Sequence, residues 1–232
     1  MHYTITSAQK KLEGRISLPA SKSISNRALI INALAYSPFD IENLSDSDDT
    51  RVMMDVLNSN INRFDIGHAG TAMRFLTAFL AKIVGEWEIT GSERMQQRPI
   101  KILVDALNQL GARIEYIKNE GYPPLRIFGS NLKGGKLELD GSISSQYISA
   151  LLMIAPTIEG GLELTLVNKI TSASYIDLTL RLMARFGIEY QWNENLITIP
   201  EQPYRAIPFT VEADWSGASY WYQMAVLADE AD

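Results

Sequence analysis

Cysteine is absent from this 232-residue chain, and histidine occurs only at His2 and His68. No disulfide framework or thiolate metal centre can form, a histidine-rich metal cluster is excluded, and a reducing, cytoplasmic setting is the expectation. Long hydrophobic runs are missing too. The most apolar stretch, Ala28 to Ala35, is interrupted by Asn32 and falls far short of the about 20 residues that span a bilayer. The opening Met-His-Tyr-Thr-Ile-Thr-Ser has no basic segment followed by an apolar run, so no signal peptide and no membrane partner are expected. Positive charge is in deficit: 21 Lys and Arg against 27 Asp and Glu give a formal net charge of −6. A general nucleic-acid surface needs clustered cations and is not expected. A small cationic pocket remains compatible with that balance. What is present is ordinary globular composition, 46% hydrophobic and 21% charged, in a chain long enough to bury a large core.

Two segments share a plan. In the first, Met73, Leu76, Leu80 and Ile83 are spaced for one apolar helical face, and Trp87 to Thr90 reads as a strand. A second helix follows with Ile100, Leu103, Val104, Leu107 and Leu110, stopped by Gly111, then strands at Ile114 to Ile117 and Leu125 to Phe128. The later segment repeats the order. Ile148, Leu151, Leu152 and Ala155 mark a helix, and Leu162 to Leu166 alternates as a strand. Ile176, Leu180 and Met183 mark a helix ended by Gly187, with strands at Ile188 to Trp192 and Leu196 to Ile199. The offset is constant at 76 positions (187 − 111 for the glycines, 176 − 100 for the isoleucines). An incomplete unit comes first, with Ile24, Ala28, Ile31 and Ala35 on one helix and Val52, Val56 and Leu57 on another. The expectation is an α/β fold of helix–strand–helix–strand units, repeated three times, with helices covering sheet faces. Ala218 to Asp232 reads as a further helix, introduced by Asp214 and Ser216, with nothing after it to pack on.

Each unit's first helix begins in a polar loop: Ser21-Lys22-Ser23-Ile24-Ser25-Asn26-Arg27, Gly67-His68-Ala69-Gly70-Thr71-Ala72-Met73-Arg74, and Ser142-Ile143-Ser144-Ser145-Gln146. Helix N-termini present free N–H groups and a positive dipole end, glycine permits close approach, and hydroxyls add donors. Converged, the three would hold a polyanion. Simple capping is the alternative for each loop. Arg98 beside Pro99 and the Ser144-Ser145-Gln146 turn also have capping or turn roles open to them, and Tyr175 has a packing role. Lys22 and Arg27 are about one and a half turns apart and are expected to face one ligand. Asp46, Asp48 and Asp49 read as N-terminal helix charges.

Six ordered stretches then carry a resemblance. Leu18 to Leu29, Ala69-Gly70-Thr71-Ala72-Met73-Arg74, Arg94-Met95-Gln96-Gln97-Arg98-Pro99-Ile100, Gly141 to Tyr147, Ser174 to Leu180 and Val211 to Ser216 resemble the signatures of the EPSP synthase family. That family transfers the enolpyruvyl group of phosphoenolpyruvate to the 5-hydroxyl of shikimate 3-phosphate and releases phosphate. The resemblance implies an enolpyruvyl transferase-like domain, with sheets packed around buried helices in a three-fold pseudo-repeat. It implies that residues 1–18 belong to the other domain, 19–211 form the N-terminal substrate-binding domain, and 212–232 begin the second. It assigns Lys22, Ser23, Arg27, Ser144, Ser145, Gln146, Ser172 and Tyr175 to shikimate 3-phosphate, and Lys22, His68, Gly70, Thr71 and Arg98 to phosphoenolpyruvate. Lys22 is the one catalytic candidate. The principal acid/base groups and the remaining partner, a missing C-terminal domain, would lie beyond Asp232, so the chain alone is expected to bind without turnover. No cofactor and no metal are implied. His68 and Phe75 depart from the family's usual Asn and Pro, and Ala173-Ser174 replaces its Lys-Pro. The related UDP-N-acetylglucosamine enolpyruvyl transferase commonly uses a cysteine, which is lacking here. A non-catalytic polyanion-binding module of the same fold is the other reading.

Overall fold

The computed structural model describes residues 10–232, so the part of the 1–18 segment before residue 10 lies outside the described residues. Six helices make the body: α1 (Lys22–Leu34), α2 (Asp48–Leu57), α3 (Gly70–Lys82), α4 (Lys101–Gln109), α5 (Ser145–Ile154) and α6 (Ala173–Arg185). Contacts run α1 to α2 and onward in chain order to α6, which closes on α1. Helices α1, α3 and α5 also touch one another. Hence α1, α3 and α5 form the middle of the molecule, and α2, α4 and α6 lie between them around the rim.

Burial explains that placement. In α5 every residue from Tyr147 to Ile154 is buried, and in α3 the buried set runs from Gly70 to Ala78 without a gap. A helix apolar on all sides has no solvent face and must be surrounded. The single apolar face read for Met73, Leu76 and Leu80 therefore understates α3, whose Thr71, Arg74 and Thr77 are buried as well. By contrast α4 and α6 are amphipathic, burying Leu103, Val104 and Leu107, and Ile176, Leu180 and Met183 respectively.

Two four-stranded sheets cover the helices. Strands β3 (Arg63–Asp65), β4 (Gly85–Thr90), β5 (Arg113–Tyr116) and β6 (Leu125–Gly129) assemble in the order β3-β4-β6-β5. Strands β7 (Lys133–Asp140), β8 (Glu159–Val167), β9 (Gln191–Asn193) and β10 (Leu196–Ile199) assemble as β7-β8-β10-β9. The first pair is parallel and the other two antiparallel in both sheets. The shared unit is thus strand–helix–strand–helix–strand–strand, with a leading strand added to the expected order. Sequence pattern does not reveal β3, because only Phe64 of its three residues is buried, nor β7, because Lys133, Gly134, Gly135 and Lys136 blur its alternation. β9 begins at Gln191 rather than Ile188. Gly111 and Gly187 end α4 and α6 at φ +91° and +86°, a left-handed backbone that glycine adopts without a β-carbon clash.

Short strands complete the first unit and the chain ends. β2 (Ile41–Glu42) pairs in parallel with β11 (Phe209–Thr210), and β1 (Lys11–Leu12) with β12 (Glu230–Ala231). Helix α7 is Trp215–Leu227, capped by the Asp214 carboxylate, which accepts from Ser216 N at 3.0 Å. The last residues leave the helix for β12, correcting the expectation of helix to Asp232. Trp215, Tyr220, Tyr222, Val226 and Leu227 of α7 are each more than 60% exposed. Among the described residues, no helix is long and apolar enough to cross a membrane.

Candidate functional site

The N-termini of α1, α3 and α5 meet through side chains that bridge between helices. From the first turn of α2, Asp49 reaches out of its own helix and accepts from Thr71 N at 2.7 Å and Ala72 N at 3.3 Å, both at the start of α3. Its other oxygen lies 3.5 Å from Lys22 Nζ at the start of α1. At the start of α5, Gln146 donates from Nε2 to Thr71 Oγ1 at 3.2 Å. Sequence position alone makes Asp49 a charge on α2's own dipole. In the fold it caps the neighbouring helix and pairs with Lys22.

Arg27 lies one turn deeper on α1 and is 3% exposed. Its Nε donates to Thr179 Oγ1 at 2.7 Å, Nη2 to Ser149 Oγ at 3.0 Å and Nη1 to Ser23 O at 2.9 Å. The guanidinium sits 5.3 Å from the Phe75 ring centroid and 5.9 Å from that of Tyr175. Among the described residues no carboxylate pairs with it, and burial lowers its pKa to about 10. A buried cation with neutral partners is costly unless something anionic joins it. Guanidinium carries five N–H donors, and these three bonds leave two for a ligand.

A second cationic region lies at the start of α3. Gly70 stands where an added β-carbon would overlap the guanidinium of Arg98, so the arginine rests directly on the helix end. Arg74, buried at 4%, donates from Nη1 to Gly70 O at 2.9 Å and from Nη2 to Pro99 O at 3.4 Å. It thereby ties the helix end to the loop carrying Arg98. Tyr147 also donates to Pro99 O, and its ring centroid lies 5.9 Å from Arg74. Burial lowers the Arg74 pKa, with Tyr147 opposing that shift and the nearby Arg98 adding to it. His68, Arg94, Met95 and Arg98 line a cavity of about 370 Å³ at this point.

Of the residues read from sequence, Lys22, Thr71 and Gln146 are brought together through Asp49 and Thr71, half-buried Ser23 and exposed Tyr175 gather around the buried Arg27, and Gly70 and Arg98 form the third group. Lys22 and Arg27 do not share an environment: Lys22 is exposed beside Asp49, and Arg27 is packed between helices. Ser144 is the N-cap of α5, its hydroxyl accepting from Gln146 N at 3.4 Å. Asp140 holds the preceding loop by accepting from Ser142 N and Asn168 Nδ2. Hydrogen bonds from the Ser142 side chain, the Ser142 backbone and then Asn168 lower its pKa. Ser145 is half-buried, one turn before Ser149. Ser172 is half-buried at the N-cap of α6 and makes no capping hydrogen bond. Sequence reasoning does not single out Arg74, Ser149 and Thr179 as partners. A buried polar side chain inside an apolar helix is the available signal.

Helix N-termini, buried guanidinium groups and bridging hydroxyls thus gather near the starts of α1, α3 and α5 in an α/β domain built from repeated sheet-and-helix units. The sequence pattern of EPSP synthase (3-phosphoshikimate 1-carboxyvinyltransferase) matches residues 6–61 and 58–231, and the chain belongs to that family. It is 55% identical to a 3-phosphoshikimate 1-carboxyvinyltransferase of Bacteroides fragilis (strain YCH46), aligned over 100% of this chain and 57% of that protein. It is 44% identical to one from Sulfurovum sp. (strain NBC37-1), over 93% of this chain and 57% of the relative. The chain therefore spans a little over half the length of these relatives. An EPSP synthase structure from Acinetobacter baumannii shares the fold with a TM-score of 0.82 at 21% identity, covering 95% of this chain and 54% of that one.

Proposed function

We propose that this chain supplies the shikimate 3-phosphate site and half of the phosphoenolpyruvate site of an enolpyruvyl transferase. The observation carrying this reading is Arg27, a buried guanidinium with neutral partners at a junction of α1, α5 and α6. Arg27 and Tyr175, with Ser23, Ser144, Ser145, Gln146, Ser172 and Lys22, would hold the carboxylate, ring hydroxyls and phosphate of shikimate 3-phosphate. Lys22, Gly70, Thr71, His68 and Arg98 would hold phosphoenolpyruvate, with a guanidinium forking two anionic oxygens and Lys22 acting as a point charge.

In the reaction a proton adds to the methylene carbon of phosphoenolpyruvate, making it a methyl group, while the 5-hydroxyl gives up its proton to a base and its oxygen bonds to the adjacent carbon. Phosphate then leaves that carbon as a proton is lost and the enol ether double bond forms. Lys22 beside Asp49 offers charge stabilisation for the phosphate. The acid and base that move the protons would come from a C-terminal domain. Residues 19–211 would be the substrate-binding domain. Residues 1–18 and 212–232 would belong to the second, a division supported by the β1–β12 pairing.

Calorimetric titration of shikimate 3-phosphate into the chain tests the reading. Saturable heat that is lost in Arg27→Met is expected, with negligible phosphate release when phosphoenolpyruvate is added. Absence of heat at millimolar ligand would overturn the binding role, and turnover by the chain alone would overturn the division of labour.

A further inference from the structure

Four polar side chains between α1 and α2 have no part in the function proposed so far, yet they are almost wholly buried. Ser25, Asn26 and Thr50 are each 0% exposed, and Ser45 is 8% exposed. Thr50 Oγ1 donates to Asn26 Oδ1 at 2.7 Å and lies 3.0 Å from Ser47 Oγ. Ser25 Oγ accepts from Ser45 N at 2.9 Å and donates to Ser21 O at 2.8 Å. Ser45 Oγ in turn accepts from Ser47 N at 3.3 Å. The bonds thus run from α1 through the connecting loop to Ser47, the N-cap of α2, and return to α1 through Thr50.

The residues that α2 buries are Thr50, Met53 and Val56. Apolar contact through Met53 and Val56 is non-directional, so by itself it leaves α2 able to turn about its axis or slide along it. A hydrogen bond holds only within a narrow range of distance and angle. The Asn26–Thr50 bond therefore fixes both the rotation and the height of α2 against α1. Valine at position 50 would fill nearly the same space without burying a hydroxyl, so packing alone does not account for the threonine.

Asp49 precedes Thr50 in the chain, and its carboxylate has to cross to other helices. It accepts from Thr71 N and Ala72 N on α3 and lies 3.5 Å from Lys22 Nζ on α1. Turning α2 by one residue, about 100°, would carry that carboxylate to another face, and far less would take it out of hydrogen-bond range.

We propose that Asn26 and Thr50 are positioning residues, whose buried hydrogen bond sets α2 so that Asp49 holds the start of α3 and the ammonium of Lys22 in place for a ligand. Only the last step, from Lys22 to the ligand, rests on the assignment of Lys22 to the substrate anions.

The Thr71 and Ala72 amides report where the Asp49 carboxylate is, and Asp49→Ala gives their hydrogen-exchange rates without it. In Thr50→Val both amides are expected to exchange at least about tenfold faster, while the Leu164 amide in β8 keeps its wild-type rate. Thr50→Ser retains a hydroxyl and should restore both rates. Should Thr50→Val fold poorly because the Asn26 amide loses its partner, Asn26→Leu/Thr50→Val removes both polar groups together and gives the same readout. Wild-type rates at Thr71 and Ala72 in the valine variants would overturn the proposal. So would an acceleration shared equally by Leu164, which would leave the pair a purely stabilising role. Calorimetry with shikimate 3-phosphate tests the step to Lys22. Thr50→Val and Lys22→Met are each expected to weaken binding by about fivefold or more, and together no further than Lys22→Met alone, because both act through one ammonium. Faster exchange with unchanged affinity in both single variants would keep the positioning role and remove Lys22 from the ligand site.

Discussion

The guanidinium of Arg98 occupies the space that a β-carbon on Gly70 would need, so the two positions constrain each other. Gly70 opens α3 without a left-handed backbone, and alanine is therefore conformationally acceptable there. Any effect of Gly70→Ala should come from displacing Arg98. We expect phosphoenolpyruvate affinity to fall at least about tenfold, in line with losing a charge-assisted hydrogen bond. Shikimate 3-phosphate affinity should stay within about twofold. Calorimetry with each ligand separates the two effects.

Arg27→Met should separate binding from stability. The Ser149 and Thr179 hydroxyls are 2.9 Å apart, and Thr179 also donates to Tyr175 O at 2.8 Å, so removing the guanidinium leaves both hydroxyls with partners. Replacing an unpaired buried charge with an apolar chain of similar length is often neutral or stabilising. The expected outcome is loss of shikimate 3-phosphate binding with a urea midpoint equal to or above that of the wild type. A strongly destabilised variant would show that the cation itself holds α1, α5 and α6 together.

Asp49 is the acceptor for two amides at the start of α3. Asp49→Ala leaves them without it and should cost about 1–2 kcal/mol, the range for losing an N-terminal cap. Asp49→Asn keeps one acceptor and should recover a large part of that loss. Chemical denaturation of the three proteins checks the order.

Tyr116 in β5 has a hydroxyl with no hydrogen-bond partner, and its pKa is pushed up to about 12, first by burial and then by Asp105. An acid whose folded pKa lies above its unfolded value contributes stability below the unfolded pKa of about 10. That contribution is lost as pH rises through 12, because the unfolded chain gives up its proton first. Tyr116→Phe should therefore leave stability near pH 7 unchanged or slightly higher and flatten the decline between pH 10 and 12. Denaturation midpoints across that interval would reveal a decline that persists in the variant, which would assign it to other groups.

Local patterns legible in sequence are those that follow from short-range chemistry. Gly111 and Gly187 mark helix ends because a left-handed residue is needed at one defined position. Strand β8 is legible because Leu162, Leu164 and Leu166 are buried while Glu163 and Thr165 are only half-buried. Strands β3 and β7 are not, since pairing with a neighbour, rather than their own alternation, makes them strands.

The sequence by itself determined the family, the α/β alternation, the 76-residue offset and the three polar helix starts, because each depends on residue type and spacing along the chain. Tertiary structure alone decided that Lys22 and Arg27 occupy different surroundings, that Asp49 serves α3 instead of α2, and that Ser92 holds His68. Those outcomes depend on which helices become neighbours in space. Lys22 and Arg27 are close in sequence, yet α1 presents one to solvent and the other to α5 and α6.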